Sequence, residues 1–156
     1  MAIEIIATGR AVPSNKVSND ELAKQLDTSD EWIRSHTGIG NRHIADDATA
    51  TSDLAYEASI HALQMLAEQD GCSVEEAANT LDVIVVATTT PDYLGFPSTA
   101  CIIQDRLGAM KAGAVDVAAG CTGFIYGLDA AAGILTMGEF KKRALVIGAE
   151  THTKTT

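Results

Sequence analysis

The residue best placed to do chemistry in this sequence is Cys121. It lies in Val115-Asp-Val-Ala-Ala-Gly-Cys-Thr-Gly-Phe124, where an apolar strand ends in Ala-Gly and a helix is expected to begin at once. A thiol at a helix start meets unpaired backbone N–H groups and the positive end of the helix dipole, and both favour the thiolate. Gly120 and Gly123 remove side chains that would crowd an acyl group or strain a sharp strand-to-helix turn. These are the requirements of a nucleophile in covalent catalysis. The position alone fits equally well with a small buried hydrophobe, which is what most free cysteines are. Cys101, inside a predicted helix, and Cys72, in a Gly-Cys-Ser loop, lack this combination and read as core or incidental thiols. Three cysteines at irregular positions give neither a disulfide framework nor a CxxC pair. His36, His43, His61 and His152 share no ligand spacing with them, so no metal site is predicted and each His reads as surface or structural.

The elements that must position Cys121 follow from pattern. From residue 80 onward short β-branched runs alternate with helical periodicity, the mark of a parallel sheet with helical crossovers, so the class is α/β. Asp82 to Thr90 reads as a buried strand. A helix follows from about Ser98 to Leu107, closed by Gly108. Gly113 to Ala119 is the next strand and Thr122 to Met137 the next helix, with Phe124, Leu128, Ala131 and Leu135 on one face and Gly138 at its end. Arg143 to Gly148 returns as a strand. Upstream, Ala2 to Thr8 reads as a first strand and Pro13 to Val17 as a loop, and Ser18-Asn-Asp-Glu21 is a capping box. Ser29-Asp-Glu-Trp32 opens another helix. Thr51 to Gln69 is a long helix with Ala55, Ala58, Ala62, Met65 and Leu66 facing the core and Glu57, His61 and Glu68 facing water. With no repeat, linker or low-complexity tract, residues 1–156 read as a single domain.

Bulk properties exclude several classes. Hydrophobic content of 46% against 21% charged residues describes a globular chain with a real core. A formal charge of −10, with scattered Lys and Arg, argues against nucleic-acid binding. The one basic cluster, Lys141-Lys142-Arg143, reads as a solvated loop. No apolar run approaches the length of a membrane span, and the first residues lack a secretory pattern, so the expectation is a cytoplasmic location and no membrane.

Several separated blocks carry a resemblance. Thr28-Ser-Asp-Glu-Trp-Ile33 with Thr37-Gly-Ile39 and Arg42-His43, Thr88-Thr-Thr-Pro-Asp92 with Phe96-Pro-Ser-Thr-Ala100, Ala119-Gly-Cys-Thr-Gly-Phe124, and Gly148-Ala-Glu150 occur in this order. Together they resemble the amino-terminal half of the β-ketoacyl-(acyl carrier protein) synthase III family of thiolase-type condensing enzymes. The resemblance implies a thiolase-like fold, of which this chain is the amino-terminal βαβαβ half of a layered α-β-α-β-α architecture. It implies an acyltransferase that initiates type II fatty acid synthesis, with Cys121 taking the acyl group from acetyl-CoA or another short acyl-CoA and passing it to malonyl-(acyl carrier protein). Trp32 would stack on the adenine of CoA, with Thr28 as a polar neighbour; Lys154, near the position of an adenine-packing Arg, and Arg34, placed to supply charge to the phosphates, complete the candidate CoA-binding residues. Phe96 would lie at a homodimer interface and help close the partner's acyl pocket. No cofactor is implied.

This chain departs from the pattern at two places. His36 stands where the family often has Arg, and Lys154 aligns near an adenine-packing Arg whose planar guanidinium it cannot imitate. The family's His and Asn, which polarise the thioester and support decarboxylation, belong to a second half beyond residue 156, so this chain is expected to be inactive alone. The net negative charge also opposes docking of an acidic carrier protein, which calls for a local basic patch or one from that second half. The competing readings are another thiolase-fold condenser, of the hydroxymethylglutaryl-CoA synthase or polyketide starter type, and a non-catalytic CoA-binding or dimerisation module.

Overall fold

A computed structural model describes residues 3–154. They form two compact units, one built from Ala50–Thr151 with the residues up to Ala11, the other from Val12–Thr49 with the short turn at His152–Lys154.

In the second unit, β1 (Lys16–Ser18) pairs antiparallel with β2 (Asn41–His43). The capping box at Ser18 and Glu21 is present and opens α1 (Asn19–Leu22). Next comes α2 (Asp30–Thr37), capped by the Ser29 side chain and ended by Gly38 in the left-handed region. The loop expected over residues 13–17 is thus partly strand.

The larger unit contains α3 (Thr51–Asp70), α4 (Val74–Ala78), β3 (Val83–Ala87), α5 (Thr99–Leu107), β4 (Gly113–Val117), α6 (Gly123–Met137) and β5 (Ala144–Gly148). Its sheet is parallel in the order β4-β3-β5. All five β3 residues are buried because the strand is central and covered on both faces. Ile84 and Val86 face a core shared with Leu63 and Leu66 of α3 and Ile103 and Leu107 of α5. Val83 and Val85 face the other way, onto Ala131 of α6, with Leu135 and Val146 beside them. The unit is therefore an α-β-α sandwich, and α5 keeps its expected stops, an N-cap at Ser98 and a left-handed Gly108.

Two further expectations change. Ala2 lies outside the described residues, and Ile3–Thr8 make no strand; a strand needs a partner, and this segment instead runs beside α3, where Gln69 donates to the Ile6 carbonyl (3.0 Å). The buried stripe of α3 is Ala55, Ser59, Leu63, Leu66 and Ala67, while Met65 is exposed. Gly9 lies against the backbone at Ala58 and Ala62, so the extended segment covers the side of the helix that was expected to meet the sheet.

Candidate active site

Parallel pairing puts Ala87 in register with both Val117 and Gly148, so the chain leaves β3, β4 and β5 at the same end. In open α/β sheets that carboxyl end is where sites form. After β4 the chain makes a 3-10 turn, Gly120–Thr122, and only then enters α6. Cys121 thus sits in a tight turn ahead of the helix proper, not on its first residue, and it is exposed. Gly120 takes φ +55°, a conformation that favours glycine, and the Thr122 hydroxyl closes the turn by donating to the Ala119 carbonyl (2.9 Å). Behind the thiol, α6 lies close to the sheet: a Cβ on Gly127 would come within 3.3 Å of Val146 and 3.5 Å of Val85. The same closeness lets the Phe124 ring rest against Gly148.

Two acidic residues tie this end of the sheet together. Asp116 of β4 accepts from the backbone amides of Thr99 (2.8 Å) and Ala100 (2.7 Å), capping α5 from a neighbouring strand. The loop carrying Phe96 is thereby anchored to the strand that leads to Cys121. Glu150, just after β5, accepts from the Thr89 amide (2.8 Å) and from the hydroxyls of Thr88 (3.3 Å) and Thr90 (2.6 Å). Thr90 in turn accepts from the Thr151 amide (2.9 Å). Neither carboxylate was assigned a role from sequence, although an acid between two valines in a strand, as at Asp116, already signals a fixed polar partner. Phe96 is 96% exposed, beside exposed Tyr93 and Leu94.

Thr28, Trp32, Arg34 and Lys154 all fall in the smaller unit. Trp32 remains 56% exposed and stacks on His36, with ring centroids 4.2 Å apart. The Arg34 Nε donates to both oxygens of Asp30 (2.9 and 2.8 Å). Asp30 also accepts from Asn19 (2.8 Å), and that hydrogen bond, ahead of the Arg34 pairing, holds its carboxyl below the ordinary value. Asn19 is buried and its carbonyl receives Arg42 (2.6 Å). Lys154 donates to the Asp47 carbonyl (3.0 Å). Both cations expected to serve CoA are therefore already engaged. The Thr28 hydroxyl is enclosed without a hydrogen-bond partner among the described residues.

Two open clefts, of about 500 and 220 Å³, are lined by Thr8–Arg10 with His61 and Met65, and by residues 9–11, α3 and Gly148–Glu150; Cys121 lines neither. Among the described residues no cluster of His, Cys, Asp and Glu could hold a metal, and no helix is long and apolar enough to cross a membrane.

The fold that carries this cysteine turn at the carboxyl end of a parallel sheet is shared with solved structures of thiolase-fold proteins. The family model for 3-oxoacyl-[acyl-carrier-protein (ACP)] synthase III matches residues 115–156. Over nearly its whole length the chain is similar to β-ketoacyl-[acyl-carrier-protein] synthase III. That of Xylella fastidiosa (strain 9a5c) is 50% identical over 150 residues, 96% of this chain and 43% of that protein. That of Desulfitobacterium hafniense (strain Y51) is 44% identical over 154 residues, 99% of this chain and 44% of that protein. The crystal structure of the synthase III from Aquifex aeolicus VF5 superposes with a TM-score of 0.82 at 42% identity, covering 96% of this chain and 45% of that one. The priming β-ketosynthase of the R1128 polyketide pathway gives the same TM-score at 30% identity, covering 96% and 42%. The chain spans less than half the length of the curated relatives it matches, and the resemblance read from the motifs, to an amino-terminal half, is borne out.

Proposed function

We propose that this chain carries the nucleophile half of an acyltransferase that condenses a short acyl-CoA, such as acetyl-CoA, with malonyl-(acyl carrier protein), the reaction that starts type II fatty acid synthesis. The observation that carries the reading is the exposed Cys121 in a glycine-shaped turn at the carboxyl end of β4. The Cys121 sulfur attacks the thioester carbon, and the resulting oxyanion accepts a hydrogen bond from the Cys121 backbone N–H. Collapse expels the CoA thiolate and leaves an S-acyl cysteine. Malonyl-(acyl carrier protein) then loses carbon dioxide, and its carbanion attacks the acyl carbon, releasing the β-ketoacyl product and restoring the thiolate. In this reading Trp32, with Thr28, Arg34 and Lys154 around it, receives the nucleotide end of CoA. To do so Arg34 and Lys154 must give up part of their present hydrogen bonding. In this reading the His and Asn of the decarboxylation step belong to a carboxy-terminal half like that of the longer relatives, and the basic docking surface for the carrier is either local or part of that half.

A homodimer and a cytoplasmic location complete the proposal. Exposed Tyr93, Leu94 and Phe96 form one apolar loop, and Phe124, Ile125, Tyr126 and Met137 leave α6 apolar toward solvent. Exposed apolar side chains on this scale are suited to cover by another chain or segment. Such cover would also shield Cys121 from water during acyl transfer.

Incubation with acetyl-CoA and an excess of a relative's carboxy-terminal half, followed by peptide mass spectrometry, tests the chemistry. One acetyl group, about 42 Da, is expected on Cys121 and on neither Cys72 nor Cys101, and Cys121→Ser should abolish it. No adduct, or acetylation spread over all three thiols, would overturn the reading.

A further inference from the structure

Trp32 and His36 are one helical turn apart on α2, so their side chains share a face. The rings stack at 4.2 Å between centroids and 20° between planes. The imidazole is fixed: its Nδ1 is 2.8 Å from the Trp32 carbonyl oxygen and 3.1 Å from the Ser35 hydroxyl. A carbonyl oxygen only accepts, so Nδ1 carries the ring proton and donates it. The Ser35 hydroxyl donates to the same carbonyl at 2.9 Å. The face of the indole turned to His36 is thus held by a ring that cannot swing away, while more than half of Trp32 remains in solvent. The buried residue of α2 is Ile33, so this exposed pair is not what fastens the helix. An aromatic surface that is both rigid and wet is suited to stack on a flat ligand, because its rotamer entropy is already lost before binding.

We infer that His36 is a positioning residue, whose imidazole holds the Trp32 indole as a fixed platform for the purine ring of acyl-CoA. The inference rests on the CoA reading above and goes beyond it in giving a role to the residue at which this chain departs from the expected arginine. A ring stacked under Trp32 acts through the shape and rigidity of the indole. The predicted signature is therefore selective. Loss of His36 weakens the nucleotide end of the ligand and leaves the pantetheine end untouched.

Trp32 is the single tryptophan of the chain, so its fluorescence reports this site alone. Titration with CoA, adenosine 3',5'-bisphosphate and pantetheine, read by quenching of that emission and in parallel by calorimetry, makes the test. CoA and the bisphosphate are expected to bind and quench the natural chain. His36→Ala should raise Kd for both about fivefold, the size of one aromatic stacking contact. His36→Phe, which keeps a ring but not the Nδ1 bond, should recover most of that loss, and pantetheine affinity should stay unchanged in both variants. If CoA binds and quenches but His36→Ala binds it as well as the natural chain, or His36→Phe is no better than His36→Ala, the role of His36 is overturned and the CoA site stands. If saturating CoA neither quenches nor releases heat, the CoA reading fails and this inference with it.

Discussion

The two units of the chain are held together by different physics. In the larger, β3 is buried on both faces and its apolar side chains alternate between two cores. In the smaller, the centre is a buried amide: Asn19 donates to Asp30 and to the Ile39 carbonyl, and receives Arg42. Burial of apolar area is non-directional and tolerates rearrangement, whereas a polar hub holds only while each partner is met. The unit that carries the thiol is thus built for strength. The unit that carries the exposed tryptophan is built for fixed geometry.

Substitution can break that contrast. The largest effect is expected at Ile84, fully buried in the sheet: Ile84→Ala should cost about 2–5 kcal/mol in a urea melt, through lost transfer energy and the cavity left behind. A loss within a few tenths would mean that β3 is not the strut of its unit. Next is Asn19→Ala, which strands Arg42 and Asp30 and should cost about 1–3 kcal/mol. Its mark is regional. Amide exchange should quicken over Asp30–Thr37 and Asn41–His43 while β3 stays protected, and equal loss of protection in β3 would erase the distinction between the two units.

The smallest effect is electrostatic and sharpens the picture of the hub. Asp30 is held below its ordinary value of 3.8 by Asn19 and then Arg34. A carboxyl depressed on folding adds stability above its unfolded value, and loses it as pH falls through the folded one. The stability difference between the natural chain and Asp30→Asn should therefore be full at neutral pH and shrink below 3.8. Because the group is only half-buried and solvent screens it, the difference stays small. A difference independent of pH would show that the carboxylate's charge is not what the hub uses.

The elements that sequence reasoning located well are those with local chemical stops. Ser98 and Gly108 bracket α5, Ser18 and Glu21 open α1, and the unbroken apolar run of β3 has the length of a central strand. Elements defined by their partners were harder to see. Lys16–Ser18 and Asn41–His43 are three polar-rich residues each, too short for a period, and become strands only by pairing with one another. Ile3 to Thr8 shows the opposite failure, since apolar β-branched residues are present but no ladder forms. The face of α3 was misread because what covers it is an extended segment that carries no helical signal. At the thiol, the flanking glycines announced the turn, but not the 3-10 geometry that separates Cys121 from α6. The stacking of His36 on Trp32 was not foreseen, because it depends on rotamers and on a carbonyl that no sequence pattern marks.

Asp116 links events that the chain order keeps apart. Because one carboxylate on β4 clasps the first amides of α5, any breath that lifts this strand lets go of the apolar loop before that helix as well as the turn after the strand. The two should open in a single cooperative step. Heat or denaturant that loosens one of them loosens the other, and a ligand that quiets one quiets both.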